Sequence, residues 1–275
     1  MLRGIGRHAL LVSALTVCAG LWSAEAQAWH TDKRRLTDGT AYTLGKKVWK
    51  VGLWTIDYGL LDQVDVSTYW IPWFVRVANL GGKYEYRVND RLSLGTGLHA
   101  FRLDVQKLKT DAAPLVITSV PWQLTGSYRV DRETTLSLQS VYTYMHVSGT
   151  FDEGSLEGAA AVSNLQLVTT LEKRVSQVTA LLLRVRYLAH QWQPSASVTY
   201  VLHPDDYTTV RVVGAAGIDA LDVKHAWSIV PGAAFSWKSA ELRVGLGYGN
   251  MNIGGVNFVA QKKTIVPELD LAWRW

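Results

Sequence analysis

Cysteine is almost missing from this 275-residue chain: Cys18 is the one copy. It falls in a stretch that reads as a cleaved leader, which leaves the mature chain without a thiol. That excludes disulfides, cysteine-based zinc sites and cysteine nucleophiles. Long apolar runs are missing too. Beyond residue 28 nothing approaches the roughly 18 to 20 consecutive apolar residues of a membrane-crossing helix. No clustered basic helix accompanies the formal net charge of +5, so nucleic acid is not an expected partner. Phe and Met are scarce, at 5 and 3 copies, against 12 each of Trp and Tyr. The abundant aromatics are therefore the two with a polar edge, suited to a boundary between apolar and wet surroundings.

The N-terminus has the order positive, apolar, small. Arg3 and Arg7 precede a mostly apolar stretch at 8–22, and Ala24-Glu25-Ala26-Gln27-Ala28 offers overlapping small-x-small cleavage sites. This order marks residues 1–28 as a secretory signal peptide. Val17 stands before Cys18 where a lipoprotein leader needs a small residue. Residues 29–40, with Lys33, Arg34 and Arg35, read as a polar periplasmic lead, and 41–275 as one domain.

The remaining chain alternates with period two. Tyr84, Tyr86 and Val88 oppose Lys83, Glu85 and Arg87; Leu181, Leu183, Val185 and Tyr187 oppose Leu182, Arg184 and Arg186; Leu242, Val244 and Leu246 oppose Glu241, Arg243 and Gly245. Such alternation predicts strands with unlike faces. At the C-terminus Leu269, Leu271, Trp273 and Trp275 share one face, with Glu268, Asp270, Ala272 and Arg274 on the other. This ending resembles the C-terminal assembly signature of bacterial outer-membrane β-barrels, in which apolar residues alternate up to a terminal aromatic. The segment Tyr58-Gly59-Leu60-Leu61-Asp62 resembles a periplasmic turn common in uncharacterised barrels of that kind. The resemblance implies a porin-like protein of the bacterial outer membrane, with the barrel-assembly machinery, membrane lipid and lipopolysaccharide as partners.

The expected fold is an all-β, antiparallel, up-and-down transmembrane barrel of about 12–14 strands. About 13 strand-like runs are legible, and single-chain bacterial barrels are even-numbered. Counting 39–45 as an extra first strand gives 14; discarding a weak segment gives 12. Short polar connections at 57–62, 88–91, 130–133, 172–177, 203–206 and 237–241 alternate with longer ones, as barrels require.

Three constellations are candidates for function. The first is the lumen, where Lys83, Glu85, Arg87, Arg184, Arg186, Arg211, Glu241 and Arg243 fall on inward faces. The balance is mildly basic. It supports either a narrow water-filled pore passing small, preferentially anionic solutes or a lumen closed by Arg–Glu pairs, giving a structural or adhesive barrel. The second is His146-Val147-Ser148, which puts a base and a nucleophile on one strand face. The spacing resembles the His-x-Ser pair of outer-membrane lipid A deacylases, with Glu153 or Glu157 in the orienting role. Gly149 stands where that family has Asn, which weighs against an enzyme. The third is the acidic stretch Asp152, Glu153, Glu157, which lacks the regular oxygen-ligand spacing of a calcium loop. The histidines are scattered, and no metal or cofactor is expected.

Overall fold

The computed structural model describes residues 35–74, 76–104, 115–151, 156–192, 195–201, 209–212, 226–237, 239–252 and 258–275. The expected leader at 1–28, most of the expected polar lead, and Asp152 and Glu153 lie outside the described residues. Among the described residues there are fourteen strands and one short helix: β1 (Trp49–Gly52), β2 (Thr55–Leu61), β3 (Val64–Tyr69), α1 (Trp70–Phe74), β4 (Val77–Arg87), β5 (Leu92–Asp104), β6 (Leu115–Arg129), β7 (Thr134–Phe151), β8 (Leu156–Arg174), β9 (Thr179–Gln191), β10 (Ser195–Val201), β11 (Thr209–Val212), β12 (Trp227–Ser236), β13 (Ala240–Asn252) and β14 (Phe258–Arg274).

All ladders are antiparallel, and the sheet closes into a barrel of 12 strands. Each wall strand pairs with its neighbours in sequence. The ring closes where β1 meets β14, with Lys50 opposite Arg274 and Val51 opposite Trp273. Trp49 and Trp275 exchange backbone hydrogen bonds of 3.0 and 3.2 Å at that seam.

Two strands of the sheet stand outside the closed ring. On β8, Asn164 faces Gln191 of β9 while Ala161 faces Ser195 of β10, so β10 prolongs the line of β9. The intervening sequence contains Pro194, which has no N–H to give to a ladder. β11 pairs with β10 alone. The expected separate wall strands at 195–202 and 206–213 are thus a hairpin prolonging the wall. Conversely, the run at 48–57 is not one strand. It folds back at Leu53 and Trp54, and Val51 pairs with Ile56. The 39–45 segment is not a strand either; it lies inside the barrel.

The faces are inverted relative to a soluble protein. Outward positions on successive strands carry Leu80, Leu98, Leu138, Leu181, Leu246 and Leu269, all more than half exposed, whereas inward Glu85, Ser127, Gln166 and Glu241 are nearly inaccessible. A continuous exposed apolar girdle of this kind is untenable in water and is the exterior a bilayer requires. Among the described residues no helix is long and apolar enough to cross a membrane; crossing falls to the strands. The short connections between β2 and β3, β4 and β5, β6 and β7, β8 and β9, and β12 and β13 share the end that holds the β1–β14 seam. That end is the periplasmic side by the barrel rule of short turns.

Candidate functional site: the lumen and its plug

Residues 35–47 cross the barrel interior just above the periplasmic turns, and their backbone is satisfied by wall side chains. The Ala41 amide donates to Ser127 Oγ at 2.8 Å, the Thr43 amide to Glu85 Oε2 at 2.9 Å, and the Leu44 amide to Asp65 at 3.0 Å. Lys83 Nζ donates to the carbonyls of Thr37 and Tyr42. Arg274 donates to the carbonyl of Arg35 at 3.2 Å. These bonds replace a strand ladder, since a buried amide needs some partner. Leu36 is buried against Ala180, Leu182 and Ala234, inward residues of β9 and β12. The segment expected partly as a periplasmic lead and partly as a wall strand is therefore a plug in the periplasmic half of the lumen.

Asp38 is its electrostatic anchor. Its carboxylate meets Lys50 Nζ at 2.5 Å and Arg243 Nη1 at 2.7 Å. Arg243 also pairs with Glu241, which accepts from Arg274 at 3.0 Å. Burial alone would raise the Asp38 carboxyl, but Lys50 and Arg243 outweigh it and hold it well below the usual carboxylate range.

Of the residues expected to line a pore, Lys83, Glu85, Arg184, Arg186, Glu241 and Arg243 all turn inward, and all are engaged. Arg184 and Arg186 share Glu268 at 3.0 and 2.6 Å. Glu85 accepts from Thr43 and from Ser93. Arg87 is largely exposed near the periplasmic turn, 3.9 Å from Glu85. Arg211 lies on β11, beyond the closed ring, opposite Thr199.

Above the plug is a cavity of about 370 Å³, floored by Thr37, Asp38, Gly39, Thr40 and Leu44. Four cations (Lys83, Arg184, Arg186, Arg243) line it against five carboxylates (Asp38, Asp57, Asp65, Glu268, Asp270). The expected basic balance is absent there. Asp57 and Asp65 turn inward from the short strands β2 and β3, and the plug contributes Asp38. Sequence reasoning missed these three, although the period-two rule applied to β2 and β3 with their true boundaries would have placed two of them. Three rings form the wall of the cavity beside β3. Tyr69 lies 4.9 Å from His99 and 5.4 Å from Phe101, and His99 lies 4.6 Å from Phe101, centroid to centroid.

His146 and Ser148 sit near the loop end of β7, on the same outward face as Tyr144, against whose ring His146 stacks at 6.4 Å. No hydrogen bond joins His146 to Ser148. Leu269, Leu271, Trp273 and Trp275 all point outward, the last two beside the seam. Among the described residues no group of three or more His, Cys, Asp or Glu is arranged to hold a metal ion.

The closed ring, the apolar exterior and the polar, partly filled interior define a transmembrane β-barrel of the outer-membrane type. No family model matches this sequence, and no curated protein matches it. Among solved structures, the chain is similar to the translocator domain of the autotransporter NalP from Neisseria meningitidis, at 10% identity over 82% of this chain and 83% of that one, with a TM-score of 0.42. It is also similar to the Pseudomonas putida toluene transporter TodX, at 11% identity over 82% and 76%, with a TM-score of 0.34. A third is the monoaromatic hydrocarbon channel CymD, at 8% identity over 82% and 86%, with a TM-score of 0.32. Likeness at this level does not bear on what the present chain carries.

Proposed function

We propose that this protein is a narrow outer-membrane channel for small solutes, gated at its periplasmic end by its own residues 35–47. The cavity above the plug carries this reading. At about 370 Å³ it has the volume of a small-molecule site, and its floor is a peptide segment held by side chains rather than by a strand ladder. A barrel serving only as a scaffold needs no such space. The lining does not favour anions, because every inward cation that meets the cavity has a carboxylate or carbonyl partner. The passing solute is accordingly small and weakly charged or neutral.

Single-channel recording in a planar bilayer tests the reading. Wild-type protein is expected to give rare, small steps, and Asp38→Asn to give longer and larger ones. Absence of steps in wild type, in Asp38→Asn and in a chain lacking 35–46 would leave a closed structural barrel instead. The lipid A deacylase alternative rests on His146 and Ser148, which share the outward face of β7 near its loop end but are joined by no hydrogen bond.

A further inference from the structure

The barrel wall has a notch. β14 is 17 residues long, but β1, its partner at the seam, is only four. The ladder between them stops at Gly52 and Ala272, and the Leu53 amide adds one more bond to the Leu271 carbonyl at 2.7 Å. Above that level, among the described residues, no strand pairs with this edge of β14. On the other side β3 ends level with the tip of the β1–β2 hairpin, Thr55 opposite Tyr69, and the chain runs on into α1 and then β4. Above that level three strand positions are therefore vacant between β14 and β4, a separation of about 19 Å at ordinary strand spacing, with α1 packed beside β4 on the far side. Outward Leu269 and Ile265 show that this stretch of β14 lies in the apolar girdle, and it spans about 10 Å of the girdle's height.

An open sheet edge in hydrocarbon is costly, and the residues here reduce that cost. Backbone groups of Leu269, Leu271 and Trp275 point towards the β1 side, as their hydrogen bonds show. By alternation the same is true of position 267, which is proline, so one orphan donor is removed from the free edge without loss to the β13 ladder. The Trp54 indole N–H donates to the Leu269 carbonyl at 2.8 Å. The Trp70 indole of α1 donates to the Gly52 carbonyl at 3.0 Å, reaching from the far jamb to the tip of the β1–β2 hairpin. Two indoles, each held by one hydrogen bond, thus stand in the gap. Trp73 and Phe74, both more than half exposed, extend the apolar rim.

Trp54 and Leu269, at the foot of the notch, both line the central cavity, and both are about half exposed. The face of the cavity beside the notch is the Tyr69, His99, Phe101 cluster, a surface for flat rings.

We propose that the notch is a side entrance through which small apolar, ring-bearing solutes exchange between the bilayer hydrocarbon and the cavity, with Trp54 as its movable leaf. This deepens the channel reading, on which onward passage past the plug depends. Entry from the bilayer explains why the hairpin tip and the α1 side of the rim are aromatic while the floor is charged.

The probe is N-phenyl-1-naphthylamine, added to the protein in phosphatidylcholine nanodiscs, with empty nanodiscs subtracted. Saturable binding displaced by naphthalene is expected. Phe101→Ala and the milder Phe101→Leu should weaken it, the former by about three- to tenfold, as loss of one aromatic contact implies. Trp54→Ala should speed association several-fold, while Trp54→Phe, which keeps the ring but not the N–H, falls between. Retention of the folded band without heating controls for assembly. Binding no greater than in empty nanodiscs, or saturable binding unchanged in Phe101→Ala, overturns the proposal. So does a two-copy nanodisc in which the β14 edge amides are protected from exchange, because a second chain then fills the notch. Conductance of Asp38→Asn is read separately. Steps without naphthylamine binding would sink the side entrance and leave the gated channel standing, and the reverse result would sink the gate.

Discussion

Replacing Asp38 with Asn should loosen the plug without unfolding the barrel. The Asp38 carboxylate is the common partner of Lys50, which is almost wholly buried, and of Arg243. Breaking a fully buried ion pair costs about 3–5 kcal/mol. The Asp38 side chain is 38% exposed to the cavity, so water screens part of the interaction, and Asn keeps one accepting oxygen. About 2 kcal/mol of docking free energy is then lost, which raises the undocked fraction about 30-fold. Hydrogen exchange reads this directly, because the amides of Ala41, Thr43 and Leu44 are protected by the side chains of Ser127, Glu85 and Asp65. Their exchange should accelerate about 30-fold in Asp38→Asn, with wall amides of β6 and β7 unchanged and with rescue in Asp38→Glu. Unaltered protection at these three amides would refute the anchor. The pH dependence has a definite sign. The docked carboxyl titrates well below its ordinary value of 3.8. Its contribution is therefore complete above that value and is lost only as pH falls through the depressed one. The Asp38 contribution to plug protection should be indifferent to pH between 5 and 8 and should fail in stronger acid.

Glu268→Gln leaves Arg184 and Arg186 without their shared carboxylate; in an Asp38→Asn background the reversal potential in a salt gradient should move towards anion preference, and no movement would remove these residues from the solute path. A methyl at Gly59 would overlap the Gly45 carbonyl oxygen at the end of the plug, so Gly59→Ala should destabilise by about 1–3 kcal/mol and deprotect the Lys47 amide, which donates to the Gly59 carbonyl at 2.7 Å. Alanine at Trp273 and Trp275 together should lower the yield of folded, heat-modifiable protein, and an unchanged yield would deny them an assembly role. Wild-type protein should not hydrolyse outer-leaflet lipid, with His146→Ala identical to it; a hydrolysis present in wild type and lost in the variant would advance the deacylase reading.

The period-two pattern was sufficient to identify barrel strands wherever both faces are long and unlike, as in β4, β9 and β13. It was insufficient where strands are short or interrupted. Leu53 and Trp54 make the turn between β1 and β2, and neither is a turn former, so 48–57 reads as continuous. Residues 39–45 alternate well enough to imitate a strand, yet their amides are taken by Ser127, Glu85 and Asp65, partners set by tertiary folding and invisible locally. One local signal was present: Gly39 and Gly45 bracket the segment, and both adopt positive φ, 73° and 88°, a conformation that breaks a strand. The inward charges of the long strands were legible from alternation. Their neutralisation was not, because Glu268 is far from Arg184 and Arg186 in sequence and meets them only across the closed wall.

The brevity of the β1–β2 hairpin also has a mechanical consequence. Below the level of Trp54 the wall is an unbroken hoop of hydrogen bonds, and any widening must stretch a ladder somewhere. Above it, the cross-section is a C rather than an O, and its two lips can spread or approach by bending the sheet with no ladder bond broken, at the cost at most of the Trp54 and Trp70 indole bonds. Stiffness is therefore graded along the barrel axis. The plug sits in the stiff ring, where its many partners keep fixed spacings, and the cavity sits in the compliant part, where its width can follow the solute or the lateral pressure of the bilayer.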